Sequence, residues 1–261
     1  MDSSNYFNWN MSPKLVSFGD ISIAWYGLLF ASGFYLGYHI MRWVYRRERK
    51  SPATLDKIFI YMVLGAVLGA RLGHCLFYDP AYYLSNPLEI LKIWEGGLAS
   101  HGGVVGMLIA MYVYAKQTAD IQFLWLLDRM TLVIALGSFF IRIGNFFNSE
   151  IIGISTNVPW AIIFSRVDSL PRHPAQLYEA VVYLSLFILL MYLYLRHKQK
   201  LKSGFMMGLL MVIIFGSRFL IEFVKIPQEN FTPILNLNMG QWLSIPVVVL
   251  GLYFMFSKEK S

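Results

Sequence analysis

The chain has 261 residues, of which 57% are hydrophobic and only 14% are charged, whereas soluble domains carry about 25% charged residues. That balance excludes a soluble globular fold and predicts an all-α, polytopic membrane protein in which residues 1–261 form one membrane domain. The single cysteine, Cys75, lies inside an apolar run, which excludes an internal disulfide framework and a Cys-based zinc site.

Residues 1–20 are polar and nearly uncharged, and the first apolar run is full length, so no cleavable signal peptide is expected. Seven runs approach the roughly 20 residues that cross a hydrocarbon core. They cover about 21–41, 56–78, 97–115, 121–141, 177–195, 204–223 and 240–256. After the first come Arg42, Arg46, Arg47, Arg49 and Lys50; Lys116 follows the third; Arg196, Lys198, Lys200 and Lys202 follow the fifth; Lys258 and Lys260 follow the last. If seven spans alternate, all of these fall on one side. The net charge of +7 is therefore a topology signal rather than a nucleic-acid footprint. It predicts an N-terminus outside and a cytoplasmic C-terminus. The predicted external segments, 79–96, 142–176 and 224–239, hold most of the structure-breaking prolines and an aromatic belt that includes Trp94 and Trp160.

Charged groups at membrane depth are informative because one at the bilayer centre costs about 2.5–3.5 kcal/mol on insertion scales. In order, the spans carry Tyr26, then Arg71 with His74, then His101 between Ser100 and Gly102-Gly103. The fourth run ends in RIGNFFNSE, which delivers Arg142, Asn145, Asn148 and Glu150. The i, i+3 spacing puts the first three on one face of a continuing helix. RHPAQLYE follows with His173, Gln176 and Glu179; then come Arg218 with Glu222, four apart, and Gln241 with Ser244. Gly65, Gly69 and Gly73 form a small-residue ridge on the second span, a packing signal. Nearly all the polar groups fall in the outer half of the predicted membrane. Arg71, Arg142 and Arg218 suit an anion held there, the abundant one being a phospholipid phosphate, because arginine donates bidentately and stays charged when desolvated. The plainer readings stay open at each position: Arg71 as a snorkelling or packing residue, Arg218–Glu222 as a structural ion pair, His74 and His173 as architecture. No metal-ligand spacing, serine-hydrolase elbow or glycine-rich phosphate loop occurs in the sequence.

These residues resemble the prolipoprotein diacylglyceryl transferase family. The most specific match is RIGNFFNSE at 142–150; GARLG at 69–73, SHGG at 100–103, RHPAQLYE at 172–179, RFLIEF at 218–223 and MGQWLSIP at 239–246 are also similar, in order. The chain departs from the family where Gly153-Ile154-Ser155-Thr156 lacks an arginine, and where Ile214 and Phe215 stand in place of a tyrosine. The resemblance implies that the diacylglyceryl group of phosphatidylglycerol moves to the lipobox cysteine thiol of a prolipoprotein signal peptide, with glycerol phosphate leaving. It implies a multi-pass protein of the bacterial cytoplasmic (inner) membrane, with membrane lipid as surroundings, no nucleic-acid partner, no metal and no cofactor. A thiol has a pKa of about 8.5 and reacts as thiolate, so a base is useful, and charge growing on the leaving phosphate is stabilised by preorganised cations. On this reading Arg142 and Arg218 hold the phosphate, Asn145 orients it, Glu222 positions Arg218 and His101 is the base. Tyr26, Arg71, Asn148 and Glu150 complete the substrate-binding set. The alternative is a transporter or flippase for an anionic lipid or solute that uses the same arginines.

Overall fold

The computed structural model describes residues 6–18, 21–197, 200–226 and 237–257. Lys198, Lys258, Lys260 and most of the external segment expected at 224–239 lie outside the described residues. Among the described residues eight α-helices form: α1 (Trp25–Arg47), α2 (Pro52–Phe77), α3 (Pro80–Ser85), α4 (Ser100–Gln117), α5 (Phe123–Asn148), α6 (Ala175–His197), α7 (Phe205–Ile221) and α8 (Met239–Phe256). A helix stands at each of the seven predicted runs. Five of the described helices are long and apolar enough to cross a membrane: α2, α5, α6, α7 with its extension to Val224, and α8. The arginines of α1 and the polar ends of α4, Ser100-His101 and Lys116-Gln117, dilute the hydropathy of those two.

The chain is mostly helical, as expected, but the all-α expectation needs one correction. Five short strands also form among the described residues, and the first predicted span begins as strand rather than helix. β2 (Lys14–Phe18) pairs antiparallel with β3 (Ile21–Ala24), immediately before α1. β1 (Phe7–Trp9), β4 (Ile162–Phe164) and β5 (Pro171–Arg172) make a second sheet in the order β1-β4-β5, with β1 parallel to β4 and β4 antiparallel to β5. A buried cluster of Phe146, Ile152, Ile162 and Phe164, with Trp9 and Leu177 against it, anchors that sheet to the end of α5.

Two compact units divide the chain. One runs from Met41 to Leu127; the other takes the residues up to Ile40 and those from Asp128 on. In the first unit, the glycine ridge lets α2 and α4 meet backbone to backbone. A Cβ added at Gly69 would overlap the Gly102 carbonyl oxygen, and one added at Gly106 would overlap that of Gly65. Only a bare backbone permits that approach. Tyr114 closes the other end of the pair by donating to the Thr54 carbonyl at 2.6 Å.

In the second unit, Asp128 on α5 is buried and accepts from the backbone N–H groups of Gly204 (2.8 Å) and Met207 (2.9 Å), capping α7 from another helix. α8 caps itself. The Asn238 side chain accepts from the Gln241 N–H, while the Gln241 side chain accepts from the Asn238 N–H, both at 3.0 Å. The 165–170 turn is held by Asp168, which accepts from the Leu170 N–H at 3.1 Å and from Arg172 Nε at 3.0 Å. The Arg172 guanidinium holds the Asp168 carboxyl below its ordinary pKa. A depressed folded pKa contributes stability above the unfolded value, about 3.9, and loses it as pH falls through the folded value. The Leu170 amide is therefore expected to stay protected from hydrogen exchange at pH values above the ordinary carboxylate range and to lose protection once the solution is more acidic than that range.

Candidate active site

The charged cluster is built on the end of α5. Arg142 and Asn145 share a helix face as their spacing requires, and Arg142 Nη1 donates to Asn145 Oδ1 at 3.1 Å. The helix then stops in a Schellman turn: the Ser149 N–H bonds the Phe146 carbonyl and the Glu150 N–H bonds the Asn145 carbonyl, both at 3.1 Å. Ser149 takes the left-handed φ of 57° that this turn demands. The reversal folds Glu150 back, so that its Oε1 accepts from Asn145 Nδ2 (2.7 Å) and Asn148 Nδ2 (3.3 Å). Gln176, fully buried at the start of α6, donates to the Glu150 carbonyl at 2.7 Å and locks the turn.

Ser149 carries both a left-handed backbone and a buried hydroxyl without a partner among the described residues. A glycine there removes both costs. Ser149→Gly is expected to raise the thermal midpoint in detergent, by the equivalent of about 1 kcal/mol.

The centre of the cluster is a residue that carries no assigned role in the sequence reading. Glu179, fully buried on α6, lies 2.8 Å from Arg142 Nε and accepts from Lys225 Nζ at 2.8 Å. Lys225 is itself buried and lies 3.5 Å from Glu222. The expected Arg218–Glu222 pair is not what forms among the described residues. The α7 helix tightens into a 3₁₀ turn at Glu222–Val224, and the Glu222 carboxylate pairs with Lys225 while resting against Gly240 at the start of α8. The Arg142 guanidinium also lies over the Tyr183 ring, 6.0 Å from its centroid. Among the described residues, Glu179 is shared by Arg142 and Lys225, Glu222 pairs with Lys225, and Glu150 is taken up by the two asparagine amides. The buried Nε of Arg218 has no hydrogen-bond partner among the described residues. Tyr26, on the first turn of α1, packs its ring on the Gly144 backbone, two residues past Arg142; a Cβ at Gly144 would lie 2.7 Å from that ring.

Arg71 is placed differently from the expectation that it contacts substrate. It is 4% exposed, and its guanidinium is taken up by four backbone carbonyls: Glu89 (2.5 Å), Ile90 (2.9 Å), Gly96 (2.6 Å) and Gly97 (3.3 Å). It is the post on which the 86–97 segment hangs. His74 packs under Gly97 and stacks on Tyr78. His101, in the first turn of α4, is exposed and lines a cavity between α2 and α4. His173 shares the Tyr178 hydroxyl with Trp160, at 3.0 and 2.8 Å. Gln241 and Ser244 bond backbone carbonyls of Phe219 and Gly240.

Long apolar helices that end in a buried cation–carboxylate cluster define a helical, multi-pass membrane protein. Comparison with known proteins narrows that class. The family model described as prolipoprotein diacylglyceryl transferase matches residues 13–257. Curated relatives named phosphatidylglycerol–prolipoprotein diacylglyceryl transferase include one from Chloroherpeton thalassium, 49% identical over 100% of this chain and 97% of its own length. Another, from Tolumonas auensis, is 49% identical over 97% of this chain and 98% of its own. A third, from Bacteroides fragilis, is 44% identical over 97% and 96%. The chain belongs to the prolipoprotein diacylglyceryl transferase family.

Proposed function

We propose that the chain moves the diacylglyceryl group of phosphatidylglycerol onto the lipobox cysteine of a prolipoprotein signal peptide. The observation that carries the reading is the buried Arg218 Nε–H without an acceptor among the described residues, while the carboxylates Glu179 and Glu222 are paired with Arg142 and Lys225. A buried donor left unmade costs about 1–3 kcal/mol, a cost that an incoming phosphate oxygen removes. The balance of the reaction fits. The thiol gives up its proton, sulfur bonds the glycerol carbon, and the carbon–oxygen bond to phosphate breaks. The leaving glycerol phosphate then carries one more negative charge than the diester did. Arg218 and Arg142 bind that charge more strongly as it develops, which is the condition for lowering the barrier. Asn145 fixes the Arg142 guanidinium, Glu150 fixes Asn145, and Asn148 holds Glu150. His101 takes the thiol proton, a role supported by its exposed ring and its residue type.

The topology we propose has seven spans, with α1 and α4 joining the five strongly apolar helices, in the bacterial cytoplasmic (inner) membrane. Its support is the basic last turn of α1, α4 and α6: Arg46 and Arg47, Lys116, and Arg196 with His197. The test is a reconstituted assay with purified protein, phosphatidylglycerol and a lipobox peptide. A diacylglyceryl mass increase on the peptide with release of glycerol phosphate is expected for wild type, and a fall of about 10²–10⁴-fold for His101→Gln. No mass increase, with labelled lipid moved across the bilayer instead, would identify a flippase.

A further inference from the structure

The 41–127 unit, to which the charged cluster does not belong, holds a cavity of about 620 Å³ between α2 and α4. It exists because the facing glycines draw the two backbones into contact and leave a trough where side chains would otherwise interdigitate. Its walls are Leu72 and Leu76 from α2 and Val105 and Ile109 from α4, with His101 and Tyr78 at one end. Leu76 is 57% and Ile109 58% exposed, so the trough opens sideways to whatever surrounds the helices.

Resting on the transfer reading above, we infer that this trough seats one acyl chain of the phospholipid donor, with its glycerol end at His101. The dimensions fit. From His101 to Ile109 is eight residues of helix, about 12 Å at 1.5 Å per residue, close to the roughly 15 Å that one leaflet contributes to a hydrocarbon core of about 30 Å. A signal-peptide helix, about 10–12 Å across, does not fit between walls drawn together by backbone contact. Polarity is one-sided. Below His101 the lining is hydrocarbon and bare backbone; above it come the imidazole and the N–H groups of the first α4 turn, which has no side-chain cap. The trough gains little affinity from apolar contact, because surrounding lipid is equally apolar. What it supplies is register: a chain lying in it sets the depth and direction of the glycerol carbon.

The test uses full-length protein in nanodiscs with phosphatidylglycerol carrying a diazirine on one acyl chain, followed by photolysis and peptide mapping. Label is expected to concentrate on residues 69–77 and 101–109 and to fall several-fold in Ile109→Trp and in Val105→Trp. Both positions are exposed, so the larger ring fills the trough without entering a packed core. In the same variants kcat for long-chain phosphatidylglycerol is expected to fall with KM little changed, and Ile109→Leu should behave as wild type. Label spread over all exposed helix faces, unchanged in both variants, would overturn the proposal and leave unregistered surrounding lipid. Label on these residues from a photoreactive lipobox peptide in place of lipid would overturn it in favour of the protein substrate. Labelling needs no turnover, so a registered chain in a protein that never modifies the peptide would defeat the transfer reading and leave the trough standing.

Discussion

Arg142→Ala is expected to cut diacylglyceryl transfer by at least about 10²–10³-fold in kcat, while the protein still accumulates in membranes. The geometry explains both halves. Arg142 bridges the buried Glu179 and the amide of Asn145 with different nitrogens of one rigid guanidinium. On the proposed function its loss removes a phosphate donor; it also releases Asn145, but Glu179 keeps Lys225 at 2.8 Å and is not left as a lone buried charge. Arg142→Lys should also be severely impaired despite retaining charge, because a single ammonium cannot reproduce the planar fork. The measurement is kcat on purified protein with the lipobox peptide, beside a thermal midpoint in the same detergent. A lysine variant with wild-type kcat would reduce the role of Arg142 to charge alone.

Glu179→Leu is expected to have the largest effect on stability, about 3–5 kcal/mol. Glu179 is fully buried and is the shared partner of two cations. Removing it leaves Arg142 and Lys225 without the anion between them, with Glu222 still 3.5 Å from the lysine. The cost should be recovered in part by Glu179→Gln combined with Lys225→Met, which removes one charge of each sign. Thermal midpoints of wild type, Glu179→Gln, Lys225→Met and the double variant form the cycle that reads the coupling. Additive effects would mean that the pair is not coupled, and the cluster would then have to be described as separate contacts.

The parts of this site that the sequence disclosed were local. Arg142, Asn145 and Asn148 share a face because 3.6-residue periodicity settles it, and the helix does continue to Asn148. The glycine ridge of α2 likewise announced close packing, although nothing in the ridge itself named α4 as its partner. The parts that stayed hidden depend on long-range pairing. Glu179 and Lys225 are 46 residues apart, and no spacing rule links a glutamate early in one helix to a lysine after another. Arg71 reads in the sequence as a cation waiting for an anion, but carbonyls 18 to 26 residues downstream satisfy it; backbone acceptors leave no mark in a sequence. The short strands escaped for a related reason. β4, with the sequence Ile-Ile-Phe, is too brief for alternation to be visible, and its partner β1 lies far away in the chain.

The cap that Asp128 places on α7 has a consequence for biogenesis. Its carboxylate and the Gly204 amide that it receives are 76 residues apart, so the first turn of α7 is completed only when a segment synthesised much earlier is already seated. A nascent chain reaching Gly204 would find its acceptor waiting, whereas a C-terminal fragment expressed without α5 would present that turn uncapped. Co-expression of the two halves, with Asp128 intact or changed to Asn, would show whether this contact guides their reassembly.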